Sequence, residues 1–214
     1  MSGDLPATLE RPHVFVPAEP GAAGPPLLLL HGTGGSEHDL VPLRNLLSPG
    51  AAVLSPRGMV LEGGMSRFFR RLAEGVFDED DLSRRADELA DFVTAASSAY
   101  SIATGTLVAV GFSNGSNIAS AMLLGHPRLL RGALLVAAMV PYASPPTVDL
   151  SGVDVLVSNG ERDPMIPASM TAELGRQLRE RGAHVTDLPH GGGHQLDPGS
   201  LRRAAKLLGS LARP

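Results

Sequence analysis

Five short apolar runs, at 25–30, 51–54, 107–112, 132–139 and 153–158, constrain this 214-residue chain more than any other feature. None alternates polar with apolar. Strands buried on both faces read this way, because neither side of the sheet meets water. A sixth run, 183–188, alternates more and reads as a further strand, and Pro12 and Pro17 bracket a leading edge strand at 13–17. Helical patterns fall at 40–47, 80–100, 114–124, 168–181 and 198–211. The longest places Leu82, Ala86, Leu89, Ala90 and Val93 at helical spacing behind an acidic first turn. Gly182 suits a helix end, and Pro198 suits a helix start. Strands alternating with helices predict an α/β fold: a mostly parallel sheet of about seven strands with helices on both faces. No repeat or linker divides the chain, so 1–214 reads as one domain.

Composition narrows the function. The apolar fraction of 43% and charged fraction of 19% are those of a globular protein. A net charge of −4 argues against a nucleic-acid partner. The absence of cysteine excludes disulfides, cysteine metal sites and a cysteine nucleophile. Residues 1–12 are polar and interrupted by proline, which predicts no signal peptide. No apolar stretch approaches the roughly 18 residues of a membrane span. The expected location is the cytoplasm. Segment 58–79 breaks the alternation, with Met59, Met65, Phe68, Phe69, Leu72 and Phe77 among glycines 58, 63, 64 and 75. It reads as a lid-like or pocket-wall segment, or as a loop packed on the core.

The chemistry is carried by Gly111-Phe112-Ser113-Asn114-Gly115, between a strand and a helix. This G-x-S-x-G pattern makes a sharp turn that lifts a serine oxygen above the strand ends. Small residues on either side let strand and helix approach closely. A serine hydroxyl needs a base. Of seven histidines, His190 and His194 lie after the last strand, where the elbow order places the base, and His194 abuts the final helix. Their spacing of four spans three glycines rather than a helix, which disfavours a zinc site. The acid is expected after the preceding strand, where Asp163 stands. Asp187, Asp197 and Glu161 are rivals. The backbone N–H of Asn114, at a helix N-terminus, suits an oxyanion donor. The N–H of Thr33, in the glycine-rich loop 31–35, is the expected second donor, and His31 is expected to brace that loop.

These motifs, Leu30-His31-Gly32-Thr33-Gly34-Gly35, Gly111-Phe112-Ser113-Asn114-Gly115, the stretch 159–167 around Asp163 and Gly193-His194, resemble the carboxylesterase/phospholipase family of α/β hydrolases. Ser55-Pro56-Arg57-Gly58 with Arg67-Phe68-Phe69 looks like its bacterial branch that includes methylhydroquinone-responsive hydrolases. The resemblance implies a minimal α/β-hydrolase fold, no cofactor, often a homodimer, and Ser113, Asp163 and His194 as a triad. Asn114 and the Thr33 loop depart from the acyl-protein thioesterase pattern. The expected activity is that of a serine carboxylesterase cleaving small short-chain or aryl esters through an acyl-enzyme, without a metal. Met65, Phe68, Phe69 and Leu72 are expected to line its apolar pocket. Arg67, Arg70 and Arg71 read either as a solvated face or as an attractor for an acidic substrate group. Two alternatives stay open: a non-catalytic ligand-binding protein on the same scaffold, and a hydrolase of aromatic or quinone-derived metabolites or thioesters.

Overall fold

The computed structural model describes residues 9–73 and 75–211, so the signal-peptide expectation rests partly on residues outside those described. The chain opens with β1 (His13–Val16), β2 (Leu27–Leu30), a 3-10 turn (Val41–Leu43), α1 (Arg44–Leu47) and β3 (Val53–Pro56). Four short strands follow: β4 (Val60–Glu62), β5 (Met65–Arg67), β6 (Arg71–Ala73) and β7 (Val76–Phe77). Then come α2 (Glu79–Ala99), β8 (Val108–Phe112), α3 (Asn114–Gly125), β9 (Gly132–Val136) and β10 (Asp154–Ser158). The remainder is α4 (Ala168–Arg179), β11 (His184–Asp187) and α5 (Pro198–Leu211).

The main sheet has seven strands in the order β1-β3-β2-β8-β9-β10-β11. Every pairing is parallel except β1 with β3 at one edge. The four consecutive leucines of β2 are all fully buried, and the two-residue period of a strand divides them. Leu28 and Leu30 enter one core with Leu82 and Leu89 of α2, Ile118 and Met122 of α3, and Leu174 and Leu178 of α4. Leu27 and Leu29 enter the other core with Leu47 of α1 and Leu201, Ala204 and Leu208 of α5. Strands β8, β9 and β10 divide in the same way. Each such side chain contributes about 1.5–3 kcal/mol on burial, which is why an unbroken apolar run serves a sheet covered on both sides. This is the three-layer α/β-hydrolase architecture.

Two differences from the sequence reading have local causes. Helix α4 ends at Arg179 rather than 181, because the Gly182 N–H bonds the Arg179 carbonyl and the Ala183 N–H the Leu178 carbonyl. Gly182 takes φ +92° and closes the turn from beyond the helix. Segment 58–79 holds two antiparallel hairpins, β4–β5 and β6–β7, instead of a loop. Gly63 and Gly64, at φ +58° and +79°, form the two-residue turn of the first.

Candidate active site

Strand β8 runs into α3 through Ser113, which adopts φ 52° and ψ −112°, a conformation costly for any residue with a Cβ. Packing enforces it. A Cβ on Gly115 would lie 1.9 Å from the Leu30 carbonyl oxygen, and one on Gly111 would lie 2.5 Å from the Ser116 nitrogen. Only glycine lets strand and helix meet this closely. The Ser113 N–H donates to the Val136 carbonyl at 2.8 Å, pinning the turn to β9. Ser113 remains partly exposed, and its side chain makes no cap for α3.

Three side chains distant in sequence converge at the carboxyl edge of the sheet. His194 Nε2 lies 2.9 Å from Ser113 Oγ, and His194 Nδ1 lies 2.8 Å from Asp163 Oδ2. In the neutral ring, Nδ1–H donates to the carboxylate and Nε2 accepts from the serine hydroxyl. The Asp163 side chain is wholly buried. Its other oxygen accepts the N–H groups of Met165 and Ile166 at 2.8 and 3.2 Å, which fixes its aim. The rivals are engaged elsewhere. Asp187 is exposed and paired with Arg179, Glu161 is exposed, and Asp197 accepts the Ser200 N–H at the start of α5. That backbone bond holds the Asp197 carboxyl below its ordinary range.

His190 is buried, and the ring that hydrogen-bonds Ser113 is that of His194 instead. The Nδ1 of His190 accepts the Gly192 N–H at 3.2 Å, and its carbonyl accepts the Glu161 N–H at 2.9 Å. His190 therefore ties the loop bearing His194 to the loop bearing Asp163. Among the described residues, no three His, Asp or Glu side chains converge as a metal site would require.

The early loop is braced as its histidine suggested. His31 Nδ1 lies 2.7 Å from the Gly32 carbonyl, and Nε2 accepts the Gly58 N–H at 3.0 Å. Burial pushes the ring's pKa down, so it stays neutral. Arg57, next to Gly58, forms a two-pronged pair with Glu37. The Glu37 carboxyl is held below its usual range chiefly by that hydrogen-bonded partner. Thr33 is exposed, and Asn114 is buried at the first turn of α3.

The residues expected to line the pocket separate. Phe69 is fully buried in the main core, edge-on to Phe77, and Phe68 is buried against the His31 ring. Both are packing residues. Leu72 is 69% exposed on β6. Of the four, Met65 adjoins the Thr33 loop, its side chain 3.7 Å from where a Cβ on Gly34 would stand. The apolar surroundings of the site come from residues outside that set of four. Ala137, Met139 and Ile166 form a small buried cluster with Phe77, Phe112 and Met170 packed on it. The Phe112 ring lies 5.4 Å from the His194 ring, and Ile166 follows Asp163 closely. A signal was present in the apolar run 132–139, which continues three residues past the end of β9.

Comparison with known proteins agrees with this fold. The phospholipase/carboxylesterase family model matches residues 11–211. MhqD of Bacillus subtilis (strain 168), named as a hydrolase, is 46% identical over 184 residues, covering 86% of this chain and 90% of MhqD. A Bacillus cereus carboxylesterase structure superposes with a TM-score of 0.91 at 42% identity, over 94% of this chain and 95% of that one. A Mesorhizobium loti carboxylesterase gives 0.82 at 25% identity, over 90% and 97%.

Proposed function

Because the chain belongs to the phospholipase/carboxylesterase family of α/β hydrolases, and so is an esterase-type hydrolase, we propose that it acts as a serine esterase through Ser113, His194 and Asp163. The observation that carries the reading is the unbroken contact line from Ser113 Oγ through both ring nitrogens of His194 to the buried Asp163 carboxylate. Ser113 Oγ attacks the ester carbonyl carbon while its proton passes to His194 Nε2. Asp163 holds the ring in the required tautomer and stabilises the imidazolium. The N–H groups of Thr33 and Asn114 are assigned to the oxyanion; neither donates a hydrogen bond within the described residues. His194 then protonates the leaving alcohol. A water, deprotonated by the same ring, attacks the acyl-enzyme and frees the acid.

The apolar cluster of Ala137, Met139, Ile166 and Phe112 supports small acyl or aryl groups as the part of the substrate held beside the nucleophile. The reading includes a homodimer and a cytoplasmic location. Hydrolysis of p-nitrophenyl esters of increasing acyl length, with fluorophosphonate labelling, tests the enzymatic part. Wild type is expected to turn over and take the label, and Ser113→Ala to do neither. Equal rates in the two proteins would reject Ser113 as the nucleophile, and a wild type that neither turns over nor takes the label would leave a binding role on this scaffold.

A further inference from the structure

The two loops assigned to the oxyanion come from distant parts of the chain, one after β2 and one at the start of α3. Three consecutive residues, the last two of β5 and Phe68 just after it, together touch both. The Ser66 carbonyl accepts the Gly34 N–H at 2.8 Å. Arg67 Nη1 donates to Thr33 Oγ1 at 2.9 Å. The Phe68 N–H donates to Asn114 Oδ1 at 2.7 Å. Arg67 is itself 4% exposed, which is unusual for a guanidinium. It is held by the Phe69 carbonyl at 3.2 Å, by Glu62 at 3.5 Å, and by the face of the Phe69 ring. Arg71 shares the same Glu62 oxygen at 3.1 Å. A charged side chain buried this far, spending one arm on an exposed threonine, is costly as mere surface decoration.

We propose that Arg67 is a positioning residue that, with the backbone on either side of it, fixes the Thr33 loop relative to Asn114 and so sets the geometry of both oxyanion donors. This rests on the acyl-transfer reading above. Misplacing a donor by a fraction of an ångström weakens it most where charge develops, in the transition state, and little in substrate binding. The Arg67 guanidinium bonds Thr33, Phe69 and Glu62 rather than His194 or Asp163, so it has no hold on the base.

The test is steady-state kinetics on p-nitrophenyl acetate for Arg67→Ala, Thr33→Val and the double variant, each checked by circular dichroism. Arg67→Ala is expected to lose about 10- to 100-fold in kcat, with KM changed less than about threefold. The pH midpoint of kcat/KM should match wild type, and added guanidinium ion should restore part of the rate. Thr33→Val should lose less, and the double variant no more than Arg67→Ala, because both act through one contact. A kcat within about twofold of wild type, a loss confined to KM, or a shifted pH midpoint would overturn the role. If Arg67→Ala does not fold, Thr33→Val decides alone: a lowered kcat at constant KM supports the role, and an unchanged kcat overturns it. Ser113→Ala, run beside them, separates the two levels. If it keeps turnover, the acyl-transfer reading fails. If it is inactive while the Arg67 and Thr33 variants are unaffected, only the positioning role fails.

Discussion

At the scale of single residues, the convergence of Ser113, His194 and Asp163 was more legible than the packing around them. Ser113, Asp163 and His194 stood out because a nucleophile, an acid and a base each require a particular residue type in a particular order. Phe68 and Phe69 gave no such information. A phenylalanine in an irregular segment suits a cleft wall and a core equally, and only the tertiary fold decides which way it turns. The distinction between the two late histidines is testable. His194→Ala and Asp163→Asn are each expected to lose at least about 10³-fold in kcat/KM for p-nitrophenyl esters. His190→Ala should retain far more, since its ring bonds the Gly192 backbone while His194 holds the serine. A second prediction concerns His31. Its folded-state pKa lies below the ordinary 6.5 because the ring is buried. As pH falls through 6.5, the unfolded chain takes up a proton there that the folded chain refuses. The unfolded state then binds more protons, so stability declines as pH falls below that value. Melting temperatures measured from neutral to mildly acidic pH should show that decline, and His31→Gln should flatten it.

At the scale of elements, all seven strands of the main sheet and the five helices coincide with the expected segments to within a few residues. Runs with no polar alternation leave few other places to go. The hairpins of 58–79 were missed for a physical reason. Strands of two or three residues are too short to display a period, and their sides face unlike surroundings. The Gly63-Gly64 pair was the available cue, since that turn needs positive φ at both positions. Helix–strand packing supplies the prediction at this scale. Gly115→Ala would drive a methyl group into the Leu30 carbonyl and push α3 off β2. Denaturant unfolding should show a loss of about 1–3 kcal/mol or more, with activity falling alongside because the serine turn moves with the helix. Unchanged stability would mean that α3 has room to give.

At the scale of the whole molecule, the apolar exposure is concentrated in the hairpin segment. Leu61, Leu72, Val76 and Met59 are each at least half exposed. Large apolar side chains left to water across two neighbouring hairpins are what a self-association surface looks like. Sedimentation velocity is expected to find a dimer, and Leu61→Asp to shift it to monomer; a wild-type monomer at all concentrations would reject the assembly. The topology has a consequence for synthesis. The serine lies at the end of the sheet's middle strand, and its own N–H is held by a carbonyl of β9, which leaves the ribosome later. The loops bearing Asp163 and His194 emerge later still. A nascent or truncated chain therefore carries the Ser113 turn without the partners that hold it, and under the proposed mechanism reactivity would arrive only once the His194 loop has joined the fold.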